Sequence, residues 1–347
     1  MVLDQKKKFI LEFVRGNPSL SSKEIHDGRD WGVSYATFKR YLTQLISENL
    51  ILAIGQGRGR KYVISPAYEL FNPLDILSYF EKETDEREIK SKFDFDLIGD
   101  VLANIEIFNK DEIDHLNNIH QQFQKNISTL SKSAYQKELE RLAIDLSWKS
   151  SQIEGNTYSL LETERLLKEK ETAKGKSKDE ATMLLNHKAA IDFIVENPTY
   201  VEPLSISSIE DIHSILVQDL NIDRNIRKRR VGISGTNYIP LDNQFQIKEA
   251  LQDMCALVNG RENIFEKALL LLILVSYIQP FLDGNKRTAR IISNAIFIHN
   301  QYCPISFRTI DSVEYKKAIL VFYEQHNITA FKDIFMNQYE FAVNTYF

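Results

Sequence analysis

The residues best equipped for chemistry are Lys286, Arg287 and Arg290, three cations within five positions at the end of "SYIQPFLDGNKRTAR", residues 276–290. Cations crowded beside a glycine turn at a helix start have an anion to hold, and phosphate is the first candidate. Pro280 disfavours helix at Gln279 and so closes the apolar helix before it. Asp283-Gly284-Asn285 is turn chemistry, with Phe281 and Leu282 expected to anchor the turn to the core. The helix predicted from Lys286 to about His299 begins with unpaired N–H groups aimed back into that turn, where its dipole is positive. Arg287 and Arg290 are three apart, hence neighbours on one face, and two guanidinium forks there can each grip phosphate oxygens. Asp283 stands where a carboxylate could hold Mg²⁺ against those oxygens. Together these parts form a triphosphate clamp. The plainer alternative is a capped helix start with surface ion pairs.

The elements around the clamp read as helices. "ALLLLILVSYI" is a buried helix, shorter than the roughly 20 residues that span a membrane. "DEIDHLNNIHQQFQKNI" and "SAYQKELERLAIDLSWKSSQIEG" are long amphipathic stretches. At 347 residues, with 43% hydrophobic and 26% charged content, the chain should fold fully into two domains, or one large domain with an appendage. Cys255 and Cys303 have no ligand-like spacing, and the start "MVLDQKKKFILEFVRGN" lacks a secretory signal, so a cytoplasmic location is expected, with no membrane partner.

Charge is uneven: the net charge of −5 divides into +5 over residues 1–66 and −10 over the remainder. Three helical periods, over Gln5 to Val14, from Ser21 or Ser22, and from Ser34, precede two short strands around "GQGRGRK". The order resembles a winged helix-turn-helix domain over 1–66. Its third helix would enter a DNA groove with Lys39 and Arg40 outward, while Arg58 and Arg60 would lie along phosphates. The other reading gives this domain protein contacts or a homodimer. Residues 67–110 are expected to be a linker with connecting helices, and 111–347 a helical domain.

"QPFLDGNKRTAR" resembles the signature of the Fic (Fido) family, His-Pro-Phe-x-Asp/Glu-Gly-Asn-Gly-Arg-x-x-Arg. "RRVGISGTNYIPLDNQFQIKEAL" resembles that family's flap hairpin, and "SSQIEGN" its inhibitory motif, matched by Ser150, Glu154 and Gly155. The resemblance implies a mainly α fold: an all-helical Fic domain with a small β-hairpin flap (about 229–241), an inhibitory helix (about 138–155) and the motif at 279–290. It implies AMP transfer from ATP to a Ser, Thr or Tyr hydroxyl of a target protein, with Mg²⁺ on Asp283. Gly284, Asn285, Lys286, Arg287 and Arg290 would bind the nucleotide, Arg290 seating the γ-phosphate. Ile233, Ser234, Gly235 and Thr236 would dock the target as an added strand. Glu154 would pair with Arg290 at rest and exclude productive ATP.

Two departures stand out. Gln279 occupies the place of the family's catalytic His, and an amide is no general base, which forfeits about 10² to 10⁴ in rate. Lys286 replaces a glycine and is similar to the Asn-Lys-Arg of the related Doc toxins, which transfer a phosphoryl group. Two function classes follow: a slow, self-inhibited protein adenylyltransferase, and a non-enzymatic, ATP-binding transcriptional regulator. His213 is expected to be a packing residue, and neither His187 nor His299 has metal-ligand spacing.

Overall fold

The computed structural model describes residues 5–48 and 50–347. They form two compact units, one ending at Leu74 and taking in Gln325–Thr329, the other made of Asp75–Glu324 and Ala330–Phe347. In the first unit, α1 (Gln5–Gly16), α2 (Ser22–Asp27) and α3 (Tyr35–Ser47) precede strands β1 (Ile51–Ile54) and β2 (Lys61–Ile64) and helix α4 (Pro66–Phe71). Helix α2 starts on a capping box: the Ser21 hydroxyl accepts from the Glu24 N–H, and the Glu24 carboxylate accepts from the Ser21 N–H at 2.7 Å. Ser34 caps α3 in the same manner, through the Thr37 N–H. The apolar faces so positioned, including Ile10, Val14, Ile25, Phe38, Leu42 and Leu45, close over Ile51 and Tyr62. The strands pair antiparallel, Ile51 with Ile64 and Ile54 with Lys61. Lys39, Arg40 and Arg60 are exposed, whereas Lys61 is taken by Glu24 at 2.9 Å. The Arg58 side chain lies outside the described residues.

The second unit holds α5 (Ile76–Glu81), α6 (Lys110–Ser128), α7 (Lys132–Ile153), α8 (Leu160–Glu169), α9 (Lys178–Glu196), α10 (Ile206–Leu216), α11 (Gln244–Gly260), α12 (Ile264–Ile278) and α13 (Asn285–His299). Helix α14 (Ser312–Gln325) and helix α15 (Thr329–Tyr346) complete the chain. The protein is therefore mainly helical. Helix α12 is apolar on every side and Leu269 through Val275 are wholly buried, as a central helix must be. It packs along α13, which α7, α9 and α10 flank. Among the described residues no helix is long and apolar enough to cross a membrane.

The hairpin expected at 229–241 is not a strand pair, since the two-stranded sheet among the described residues is β1 with β2. The segment instead runs through a turn at Ser234-Gly235, with Gly235 at φ +85°, a conformation glycine adopts without a Cβ penalty. Its backbone is partnered from the stretch expected to be a linker. The Ile239 N–H donates to the Ser91 carbonyl at 2.9 Å, Arg87 Nη2 donates to the Gly235 carbonyl at 2.5 Å, and Asn237 Nδ2 donates to Asp85 Oδ1 at 2.8 Å. Residues 85–91 thus strap the outer edge of 235–239.

Candidate functional site

Helix α12 ends where Gln279 adopts the left-handed region, φ +52°, and Pro280 prevents continuation. The turn that follows is held from both sides. The Asn285 amide closes it from within, Oδ1 accepting from the Phe281 N–H at 2.8 Å and Nδ2 donating to the Phe281 carbonyl at 2.9 Å. Arg227 closes it from outside: its N–H donates to the Pro280 carbonyl at 3.0 Å and its Nε to the Gln279 carbonyl at 2.6 Å. His213 stacks on Phe281, with ring centroids 3.6 Å apart, and its Nε2 meets the Asp283 carbonyl at 2.9 Å. Burial pulls the His213 imidazole down to about 4, so it is neutral at pH 7 and serves as a brace. Gly284 then starts α13 at φ +82°, and a Cβ there would meet the His213 ring at 3.4 Å.

Helix α13 brings its cations under the turn. Arg287 is 1% exposed and donates from Nη2 to Asp283 Oδ2 at 3.0 Å, while its Nε and Nη1 have no partner. Arg290 is fully buried. Its Nε donates to Ser150 Oγ at 2.8 Å, and its Nη2 to the Ser150 carbonyl at 3.0 Å and to Glu154 Oε1 at 2.8 Å. Arg290 Nη1 makes no hydrogen bond of ordinary length, and Tyr315, whose ring lies 5.3 Å from the guanidinium carbon, interacts with the cation through its hydroxyl as well. Lys286 Nζ takes the other oxygen of Glu154 at 3.1 Å. Glu154 sits at the end of α7, where Gly155 at φ +100° lets the chain turn away. Burial raises the Glu154 carboxyl, but Arg290 and Lys286 outweigh it and hold it down at about 2.

That pairing sets a pH dependence. A carboxyl lowered from 4.5 to about 2 stabilises the fold fully above the unfolded value and loses that contribution as pH falls between the two. The melting advantage of the wild type over Glu154→Gln should therefore be flat from neutral pH down to about 5 and vanish on further acidification. A small advantage over the whole range would show the pair to be weak, and one already lost near pH 6 would mean that the carboxyl is not held down and another group titrates instead.

The structure brings Gln279, Asp283, Gly284, Asn285, Lys286, Arg287, Arg290, Ser150, Glu154 and Gly155 into one site. Two of them differ from the expected roles. The Asn285 side chain is committed to the turn, so what it offers an anion is its backbone N–H, and Lys286 faces Glu154. Gln279 also turns inward, its Nε2 donating to the Ser276 carbonyl at 2.6 Å and its Oε1 accepting from Asn285 at 2.9 Å. Ile233, Ser234, Gly235 and Thr236 lie on the strapped segment. His187 is buried with both ring nitrogens unpartnered, and burial, with Arg290 and Arg287 beyond it, keeps it neutral. Arg227 went unread in the sequence; its signal was the unusual run "RNIRKRR" at 224–230.

Buried guanidinium donors without partners cost free energy unless an anion meets them. Arg287 and Arg290 therefore fit a polyphosphate, helped by the N–H groups of the first turn of α13. Asp283, with its side chain 59% exposed, fits Mg²⁺ held by one carboxylate together with phosphate oxygens and water. Among the described residues no group of three or more His, Cys, Asp or Glu is placed to hold a metal by itself.

Residues 203–297 match the Fic/DOC family. The chain carries a Fic/DOC domain. Curated relatives of this domain include protein adenylyltransferase fic-1 of Caenorhabditis elegans, 26% identical over 175 residues, which are 49% of this chain and 34% of that protein. Protein adenylyltransferase Fic of Nematostella vectensis is 28% identical over 172 residues, 48% of this chain and 40% of that one. The chain thus spans well under half the length of these relatives. Among solved structures, C. elegans Fic-1 aligns with TM-score 0.59 at 20% identity, over 68% of this chain and 72% of that one. A Fic-domain signalling protein of Bacteroides thetaiotaomicron aligns with TM-score 0.58 at 20% identity, over 66% and 94%. These similarities place α12, the turn and α13 within the Fic/DOC fold.

Proposed function

We propose that the chain is an ATP-dependent protein adenylyltransferase held shut by Glu154, with its chemical step slowed by Gln279. The observation that carries this reading is the capture of Arg290 by Glu154 and Ser150, which fills with a carboxylate the seat a terminal phosphate would take. In the open state Arg290 seats the γ-phosphate, Arg287 and the first N–H groups of α13 hold the oxygens before it, and Arg227 and His213 keep the turn rigid. Mg²⁺ on Asp283 would neutralise phosphate charge when bound. The target hydroxyl oxygen then bonds to the α-phosphorus as the α–β bridging bond breaks and pyrophosphate leaves. The hydroxyl proton has no acceptor at position 279 and must pass to solvent or to the nucleotide.

Parallel reactions with α- and γ-labelled ATP, on the wild type and on Glu154→Gly, test this reading. Retained α-label in the variant, well above wild type, is expected. Label from the γ-position alone would mean phosphoryl transfer in the manner of Doc toxins. No label from either, with an ATP-induced melting shift intact, would favour the non-enzymatic regulator.

The basic first unit supports a second role. We infer that its three helices and hairpin act as a winged helix-turn-helix, with α3 toward bases and the 55–60 turn along phosphates. Duplex DNA should then bind with an affinity that drops steeply with salt, and Lys39→Glu/Arg40→Glu should weaken it at least tenfold. Absence of a gel shift at low salt would assign this unit to protein contacts or dimerisation.

A further inference from the structure

A cavity of about 680 Å³ opens between α10, the 221–229 loop, the start of α11 and Leu282. Its lining carries Arg227, Lys228, Arg229 and Lys248 against Glu210 and Asp223. Asp223 is turned mainly into its own loop, where its Oδ1 accepts the Asn225 N–H and Nδ2, each at 3.0 Å, and it feels the charge of Lys228 only at longer range than an ion pair. Arg230, next along the chain, has a partner in Asp242 at 2.9 Å. Among the described residues no ion pair engages Lys228, Arg229 or Lys248, and all three are exposed. Arg227 is 1% exposed and places Nε on the Gln279 carbonyl and Nη1 on the Arg229 carbonyl, leaving Nη2 buried without a partner. Unpaired cations around a buried, under-satisfied guanidinium call for a carboxylate or phosphate.

We propose that this cavity docks an acidic stretch of the polypeptide that brings its hydroxyl to the turn. The proposal rests on the adenylyltransferase reading only in that a protein is the acceptor. Position favours a polypeptide: Leu282 of the turn is part of the lining, and Arg227, which lines the cavity, also holds the Gln279 and Pro280 carbonyls. Four cations against Glu210 and Asp223 leave the lining net positive, which suits carboxylates, and on that reading a protein is already the acceptor at the adjoining turn, which favours a peptide over nucleic acid. The volume exceeds what a single phosphate fills.

The test is fluorescence anisotropy of fluorescein-labelled octaglutamate with the full chain at low salt, on the wild type and on Lys228→Glu/Lys248→Glu, with octaserine as the uncharged control. Binding that falls at least tenfold on charge reversal and weakens with salt is expected. Octaglutamate bound equally by the reversed variant, or not bound by the wild type, overturns the proposal. So does a single-stranded oligonucleotide, or inorganic phosphate, that displaces octaglutamate and itself loses binding on the same reversal. The ATP-induced melting shift in a Glu154→Gly background should survive the charge reversal, which shows the fold and the clamp intact. Charge-dependent octaglutamate binding by a protein that labels nothing from ATP would support the docking cavity while removing the transfer chemistry.

Discussion

Glu154→Gly/Gln279→His should incorporate α-label from ATP about 10² to 10⁴ times faster than Glu154→Gly alone. The two changes act on separate obstacles. Residue 154 governs whether Arg290 is free for phosphate, and residue 279 governs whether the incoming hydroxyl can lose its proton. The geometry favours a functional imidazole at 279. Gln279 Nε2 now donates to the Ser276 carbonyl at 2.6 Å, and a histidine Nδ1–H making that bond would leave Nε2 as the free lone pair. Asn285 would keep its bonds to Phe281 and so hold the turn. With an unperturbed pKa near 6.5, that base works at neutral pH. Equal rates for the single and double variants would mean that Gln279 is no obstacle and that another group takes the proton.

Arg287→Met, placed in the Glu154→Gly background, should abolish the ATP–Mg²⁺ melting shift while leaving the nucleotide-free protein as stable as before, or more so. Arg287 is almost wholly buried yet leaves Nε and Nη1 unpaired, and its carboxylate partner Asp283 is mostly exposed. An apolar side chain of similar length removes unmet donors without stranding a buried charge. The lost signal is large, since nucleotide at about 100 times its dissociation constant stabilises by about 2.7 kcal/mol. A full shift in the Met variant would place the nucleotide elsewhere. A severe loss of nucleotide-free stability would show Arg287 to be structural.

The sequence made the turn legible because its determinants are local. Pro280, Asp283-Gly284-Asn285 and the spacing of Arg287 and Arg290 act within one or two helical turns, as do the Ser21 and Ser34 caps of the first unit. The Glu154–Arg290 pair, 136 positions apart, was reached through resemblance to a family motif. What escaped was long-range and carried no pattern of its own. Lys286 reads as one more phosphate ligand until the fold sets it 3.1 Å from Glu154. Arg227 lies in a basic run that looks like solvated surface, although one of its cations is buried against backbone carbonyls. Residues 85–91 have a mixed-charge linker composition, and nothing in it announces hydrogen bonds to 235–239. A lone glutamine at 279 likewise gives no hint that both ends of its amide are spoken for.

Glu154 caps α7 one residue past Ile153, with glycine immediately after it, so a local opening of 154–155 need not disturb the buried Ser150, Ser151 and Ile153. On the proposed function, ATP admission would be governed by an equilibrium between a closed and a frayed helix end. The apparent dissociation constant equals the intrinsic one divided by the frayed fraction, so a helix end open one time in a hundred weakens ATP a hundredfold. Any molecule that favours the frayed end tightens ATP by the same factor that ATP tightens it. Nucleotide affinity would then be a gauge of whatever grips the end of α7.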